Sequence, residues 1–176
     1  MPNDAQKVKL RRLVDDHFAG VWRFLRHLGV PEHLVDDAAQ DVFLVAARRF
    51  DEILPGREHS FLFGTAFKVA QAARREFLRS RPIDDADVDE TVDTAPTPEQ
   101  QLDEKQAEAL ALRLLDELDE EQRQVFVLYE IEGLTMQRIA ELTNVPMGTV
   151  ASRLRRAREA FQSRFERHRK SLRGVR

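Results

Sequence analysis

Cysteine is absent from this chain of 176 residues. Its absence excludes a disulfide framework, a thiolate-bound metal centre and a cysteine nucleophile. Long apolar runs are also missing, since Val42–Ala47 and Phe61–Phe67 fall far short of the roughly 18 residues that a membrane span needs. The start of the chain lacks the apolar stretch of an export signal. We therefore expect a cytoplasmic protein without membrane insertion.

Residue types that carry catalysis are sparse. The five His residues, at positions 17, 27, 33, 59 and 168, include no pair four residues apart, the spacing that places two metal ligands on one helix face. No glycine-rich phosphate loop is present. A helical hydrolase with a carboxylate metal site would have to use Asp15, Asp16, Asp36 and Asp37. The pattern disfavours this alternative, and we predict no enzyme activity, no metal and no cofactor.

Charge is unevenly distributed, although the net charge is only −3. Residues 81–105 contain 2 basic and 9 acidic residues, whereas residues 153–176 contain 10 basic and 2 acidic residues. The acidic stretch has few large apolar side chains, so burial cannot offset the entropy of ordering it. It predicts an acidic flexible linker. The basic end is typical of phosphate binding, with a solvated helix end as the alternative.

Hydrophobic periodicity is helical on both sides of this linker. The first helix carries an apolar stripe of Leu13, Val14, Phe18, Val21, Trp22 and Leu25, and the second one of Leu34, Val35, Ala38, Val42, Val45 and Ala46. A third helix is expected over about 61–79, after a polar loop at 51–60, and a second helical block from about Ala107. The fold class is therefore all-α, with small helical domains over 1–80 and 106–176 joined by the linker at 81–105.

The segment 134–158 predicts a helix-turn-helix unit. Thr135 is a good N-cap, Asn144 tolerates the left-handed conformation of a tight turn, and Pro146 can open the next helix. Two helices joined by so short a turn form a unit whose second helix can enter the major groove of DNA.

The second helix of this unit separates into two faces at about 100° per residue. The inner face should consist of Val150, Leu154, Ala157 and Phe161. The outer face should present Ser152, Arg155, Arg156 and Glu159. Arginine and serine side chains suit phosphates and guanine edges, so the outer face predicts DNA binding. An amphipathic helix with solvated arginines is the alternative.

The stretch 118–165 resembles region 4 of the extracytoplasmic-function (group IV) sigma factors of bacterial RNA polymerase. The resemblance rests on Leu118–Phe126, on Glu132–Thr135 and above all on Val145–Arg158, whose Val-Pro-x-Gly-Thr-Val-x-Ser-Arg run is specific to that family. Residues 35–44, Val-Asp-Asp-Ala-Ala-Gln-Asp-Val-Phe-Leu, resemble region 2 of the same family. The resemblance implies a subunit that binds core RNA polymerase and directs promoter-specific transcription initiation.

The resemblance also implies three sets of site residues. The coiled coil of the largest polymerase subunit would contact Asp37, Gln40, Asp41 and Leu44. The minus-ten element, captured as a single strand, would contact Phe61, Lys68, Arg74 and Arg75. The minus-thirty-five element would contact Thr149, Ala151, Ser152, Arg153, Arg155, Arg156 and Arg158. The polymerase flap and an anti-sigma factor are the other implied partners, and the free protein is expected to be a monomer.

The chain departs from the family pattern at five positions. Phe61 and Lys68 stand where Trp and Asn are common, Ala47 stands where a Trp is usual, and Ala151 stands where Lys or Arg is frequent. The usual Asp is also missing near Ala72. Two alternatives to a working sigma factor therefore stay open. One is a stand-alone helix-turn-helix regulator, which would need its own dimer interface. The other is a sigma-like paralogue that no longer initiates transcription.

Overall fold

A computed structural model describes residues 4–80 and 99–173, with side chains described for 6–80 and 105–170. The chain divides into two compact units, Met1–Ser80 and Arg81–Arg176. All regular secondary structure in the described residues is helical. The predicted all-α class is confirmed.

Unit 1 is a bundle of three helices, α1 (Asp4–His27), α2 (Glu32–Arg48) and α3 (Glu58–Ser80), with a 3₁₀ turn at Phe50–Glu52 between the last two. Each helix packs against the other two. Their apolar stripes meet in a core that includes Val21, Phe24, Leu25, Val35, Val42, Leu62 and Phe67, all at most 1 % exposed. The bundle leaves the opposite face of each helix free for other contacts.

Unit 2 contains α4 (Glu99–Asp116), α5 (Glu120–Phe126), α6 (Met136–Thr143) and α7 (Met147–Arg173), and α5 continues into a π-helical turn at Val127–Ile131. The other three helices all pack on α7. The core includes Leu115, Val125, Leu128, Ile139, Val150, Leu154 and Ala157. The inner face of α7 is thus the centre of the unit.

The segment from the end of α5 through the π-helical turn is buried on more than one side. Val125, Val127 and Leu128 are all buried, although Val125 and Val127 would lie about 200° apart around a regular α-helix. The backbone N–H of Glu132 donates to the carbonyl of Val127 at 3.0 Å, a bond that spans five residues.

A buried arginine connects α5 to the end of α4. Arg123 is only 4 % exposed. Its Nε donates to the carbonyl of Leu115 at 2.6 Å, and its Nη1 lies 3.2 Å from a carboxylate oxygen of Asp116. Arg123 therefore adds a second donor to a carbonyl at the C-terminus of α4, which also accepts from the backbone N–H of Leu118 at 3.1 Å.

The structure corrects two predicted boundaries and the burial of one residue. The predicted linker lies outside the described residues up to residue 98, but α4 already begins at Glu99, so its predicted end at residue 105 is wrong. The polar start of α4 is rich in Glu, Gln and Lys, which favour helix without an apolar stripe. The third helix begins at Glu58, and Phe18, predicted for the core, is 39 % exposed and stacks on Phe43.

The N-terminal end of α3 packs on α1 through aromatic rings. The ring of His59 stacks on the ring of Phe63 with centroids 3.9 Å apart. The centroid of the His17 ring, on α1, lies 6.5 Å from that of His59. Partial burial lowers the pKa of His59, and the nearby His17 lowers it further. Protonation of His59 is therefore less favourable in the folded than in the unfolded chain.

This pKa shift predicts a loss of stability of unit 1 on mild acidification. Above the unfolded-state pKa of about 6.5 both states hold a neutral His59, and as the pH falls below it the unfolded state takes up the proton more readily. We expect the melting temperature to fall between pH 7.5 and 5.5, and to fall less in His59→Phe, which keeps the ring stack. An equal fall in both proteins, measured by thermal unfolding, would contradict this account.

The central position of α7 predicts a large cost for a cavity on its inner face. Leu154→Ala should lower the free energy of unfolding of unit 2 by about 2–5 kcal/mol, because Leu154 is 1 % exposed. Met147→Ala is the matched control on the same helix, since Met147 is exposed and should change stability by less than about 0.5 kcal/mol. Chemical denaturation measures both, and similar losses would show that the inner face is not the core.

Candidate nucleic-acid interface

The helix-turn-helix unit has the local structure that its sequence predicts. The Thr135 side chain accepts from the backbone N–H of Arg138 at 3.2 Å and caps α6. Asn144 adopts the left-handed conformation with φ 56°. In the first turn of α7, the backbone N–H groups of Thr149 and Val150 donate to the carbonyl of Pro146. The turn and both helix ends are therefore set by side chains and dihedral preferences within the unit.

The two predicted faces of α7 are confirmed by burial. On the inner face Val150, Leu154 and Ala157 are buried, and Phe161 stacks on Phe126 with ring centroids 4.9 Å apart. On the outer face Arg155, Arg156 and Glu159 are exposed, while Ser152 is half-buried. The hydroxyl of Ser152 donates to the carbonyl of Thr149 at 3.0 Å, which leaves its oxygen free to accept.

Arg153 and Arg155 have carboxylate partners. Arg153, with 20 % of its side chain exposed, lies 2.6 Å from a carboxylate oxygen of Glu121 on α5. Arg155 donates to Glu159 one turn later, at 2.9 Å. The first pair helps to hold α5 on α7, a structural role that the sequence did not indicate.

Arg158 and Arg156 differ sharply. Arg158 directs both Nε and Nη2 at one oxygen of Glu130, each at 2.5 Å, and its guanidinium lies 5.3 Å from the centre of the Tyr129 ring. Arg156 is exposed and has no hydrogen-bond or ion-pair partner among the side chains that the structure describes. Of the four α7 arginines predicted to contact DNA, Arg156 is thus the one without a carboxylate partner among the described side chains.

The remaining predicted residues of α7 contribute little charge. Thr149 is half-buried at the start of the helix, and Ala151 is exposed. Because Ala151 has no polar atom in its side chain, it offers a nucleic acid only a methyl group. Fewer than the seven predicted residues of α7 therefore offer an exposed polar or charged group to a nucleic acid.

On α3, three of the four predicted minus-ten residues share one stripe. Phe61, Lys68 and Arg75 follow at intervals of seven residues, which returns a helix to nearly the same face. Lys68 and Arg75 are exposed. Phe61 is half-buried, and the guanidinium of Arg49 lies 5.5 Å from its ring centre. The stripe thus combines an aromatic ring with positive charge.

Arg74 does not lie on this stripe. Its Nη1 donates to the carbonyls of Leu28 and Gly29, at 3.3 and 3.0 Å. These carbonyls belong to the end of α1, so the guanidinium ties α3 to α1. The family resemblance placed Arg74 with the DNA-contacting residues. The sequence could not reveal its carbonyl partners, because they lie 46 and 45 residues away along the chain.

The turn before α3 contains an ion pair that the sequence analysis missed. Arg49 hydrogen-bonds the carboxylate of Glu52, and this bond holds the pKa of Glu52 below its usual value. The same guanidinium faces Phe61. The Arg49 guanidinium at the end of α2 therefore lies near the Phe61 end of the stripe. The only sequence signal for the Arg49–Glu52 ion pair is the spacing of three residues between them.

The four residues predicted to contact polymerase lie together on α2. Asp37, Gln40, Asp41 and Leu44 follow at intervals of three and four residues, and all four are exposed. Leu44 is 44 % exposed. The face therefore offers two carboxylates, an amide and an apolar contact to a partner.

Two further findings concern the described part of the chain. No helix in it is long and apolar enough to cross a membrane. Within the same residues there is no group of three or more His, Cys, Asp or Glu side chains placed to hold a metal ion.

Comparison with known protein families finds a match within unit 2. Residues 108–161, which include α5, α6 and α7 up to residue 161, match the family model "Sigma-70, region 4". The match covers less than half of the chain, so it describes this segment and not the whole protein.

Curated relatives extend the likeness over both units. The chain is 29 % identical over 158 residues to the ECF RNA polymerase sigma factor SigE of Mycolicibacterium smegmatis, covering 89 % of this chain and 61 % of that protein. It is 28 % identical over 149 residues to the ECF RNA polymerase sigma-E factor of Escherichia coli K12, covering 78 % and 76 %. The chain thus spans less than two thirds of the first relative and about three quarters of the second.

Solved structures share the fold. The sigma factor RpoE, solved with the anti-sigma factor NepR from Bartonella quintana, matches with a TM-score of 0.70 at 21 % identity, covering 90 % of this chain and 97 % of that one. CnrH, solved with the cytosolic domain of CnrY, matches with a TM-score of 0.60 at 23 % identity, covering 91 % and 89 %. At these identities the likeness supports the all-α architecture.

Proposed function

We propose that this protein is a group IV, ECF-type sigma factor that binds core RNA polymerase in the cytoplasm and directs promoter-specific transcription initiation. The observation that carries the proposal is the outer face of α7. Arg156, which is exposed and has no partner among the described side chains, stands beside Ser152 on the second helix of the segment that matches the sigma-70 region 4 model. Such a helix reads base edges in the major groove with a few polar side chains.

The minus-thirty-five element would contact α7 in two ways. Arg156 and Ser152 would read base edges, because a guanidinium or a hydroxyl can hydrogen-bond there. Thr149, Arg153, Arg155 and Arg158 would contact sugar and phosphate, with the ion pairs of the three arginines limiting how strongly they do so. Ala151 would provide an apolar contact. This division assigns sequence preference mainly to one arginine.

The minus-ten element would lie as a single strand along the stripe of Phe61, Lys68 and Arg75 on α3. Single-stranded nucleic acid is held by aromatic rings on which bases stack and by cations that follow the backbone. The stripe offers both, and Arg49 adds a third cation, which lies next to Phe61. Arg74 would support this surface from behind, through its bonds to the end of α1.

Core polymerase would bind the exposed face of α2. Carboxylates and an amide on one helix can pair with a basic helix of a partner, and Leu44 supplies an apolar contact. The polymerase flap would contact unit 2. We further propose that the free protein is monomeric and is held by an anti-sigma factor, since the RpoE match was solved together with the anti-sigma factor NepR.

The first prediction concerns base reading. Arg156→Ala should weaken binding to minus-thirty-five duplex by about 1–3 kcal/mol and relax preference at one base pair, whereas Arg158→Ala should weaken target and random duplexes by the same factor. Fluorescence anisotropy with a set of singly substituted duplexes measures both effects. If Arg156→Ala also weakened target and random duplex equally, Arg156 would not be a reading residue.

The second prediction concerns polymerase. Leu44→Asp should weaken binding to core RNA polymerase about tenfold, because it places a charge in the proposed apolar contact with the polymerase. Val8→Asp is the control, since Val8 is also exposed on unit 1 but lies on α1. Binding to core enzyme and run-off transcription measure the effect. Unchanged affinity for Leu44→Asp, or an equal loss for Val8→Asp, would remove the α2 face from the proposal.

A further inference from the structure

We propose that Glu130 limits the affinity of α7 for duplex DNA by competing with phosphate for the guanidinium of Arg158. The proposal rests on the proposed function of α7 and adds a residue that lies outside the helix-turn-helix. Glu130 belongs to the π-helical turn after α5, and it contacts α7 from a different part of the chain, 28 residues earlier.

The contact between Glu130 and Arg158 uses the edge of the guanidinium that a phosphate would use. Nε and Nη2 both lie 2.5 Å from the same oxygen of Glu130. Arginine binds phosphate through parallel N–H groups in a forked geometry. Because one edge cannot donate fully to a carboxylate and a phosphate together, DNA must displace Glu130 or accept a weaker contact.

The position of Arg158 makes this competition relevant to DNA. Arg158 follows Arg155 by three residues, so it lies beside the outer face of α7, and about half of its side chain is exposed. The Glu130 side chain is one-third exposed, and Tyr129, the residue before it in the π-helical turn, places its ring under the same guanidinium. Two consecutive residues thus hold Arg158 from one side.

The contrast with Arg156 indicates what this arrangement achieves. Arg156 has no partner among the described side chains, and it is the residue proposed to read a base. Phosphate contacts supply most of the sequence-independent affinity of DNA-binding proteins. Restraining Arg158 therefore reduces general attraction to DNA while the reading residue stays available.

The test uses the full chain and compares two glutamates of unit 2. Glu130→Gln removes the carboxylate charge and keeps the side-chain shape. Glu117→Gln is the matched control, because Glu117 also pairs with an arginine of α7, Arg164, at 2.9 Å, six residues beyond Arg158. Both variants change the net charge equally. Anisotropy titrations use a minus-thirty-five duplex and a random duplex at several salt concentrations.

We expect Glu130→Gln to tighten binding to both duplexes about fivefold, as release of one exposed ion pair allows. The salt dependence should steepen by about one phosphate contact. Glu117→Gln should change affinity by less than about twofold. In the double variant with Arg158→Gln, Glu130→Gln should no longer tighten binding, because its effect acts through Arg158.

Weaker or unchanged binding by Glu130→Gln would overturn the proposal, and so would equal gains for both glutamate variants or a gain that persists without Arg158. Glu130→Ala provides a second measurement with the same expected direction. The outcome is separable from that of the proposed function. If the Arg156→Ala variant kept full promoter selection, base reading by Arg156 would be contradicted. The ratio of the affinity changes in the Glu130→Gln and Glu117→Gln variants would still test the competition for Arg158.

Discussion

The burial of one face of α7 is the constraint on which the rest of unit 2 depends. Val150, Leu154 and Ala157 are almost completely enclosed, and α4, α5 and α6 all pack on the helix that carries them. Because a helix is rigid, burying these three side chains also determines which residues face solvent. The outer face of Ser152 and Arg156 is thus a consequence of core packing as much as of its own residues.

Ion pairs neutralise part of the positive charge of α7 in this protein, whose net charge is −3. Arginines along α7 pair with carboxylates from the turn after α4, from α5, from the π-helical turn and from α7 itself: Glu117, Glu121, Glu130, Glu159 and Glu166. Exposed pairs of this kind add little stability individually. Their larger effect is electrostatic. They weaken the positive field that DNA would meet at α7, compared with the field expected from the basic residues of 153–176 alone.

The elements and faces that the sequence predicted well are those encoded by local signals. The N-cap at Thr135, the left-handed turn at Asn144 and the inner face of α7 each depend on neighbouring residues or on helical periodicity, and all three are confirmed. The exposed face of α2 also follows from periodicity. Whether these faces bind polymerase and promoter DNA stays a prediction, because resemblance to a family supplied those roles.

The features that the sequence could not reveal depend on partners far away along the chain or on irregular backbone. Arg74 contacts α1, and Arg153 contacts α5, so their structural roles arise only when the helices pack. The π-helical turn violates the α-helical spacing on which pattern analysis relies. The early start of α4 was missed because its first residues favour helix by propensity alone, without an apolar stripe.

The π-helical turn constrains both the side chains and the length of its segment. Val127 and Leu128 are buried, and Tyr129 and Glu130 contact Arg158. A π-turn contains one residue more than the α-helical path that it replaces. Deleting one residue from Val127–Ile131 would restore regular hydrogen bonding locally, yet it would rotate α4 and α5 by about 100° against the helix-turn-helix and shift them about 1.5 Å.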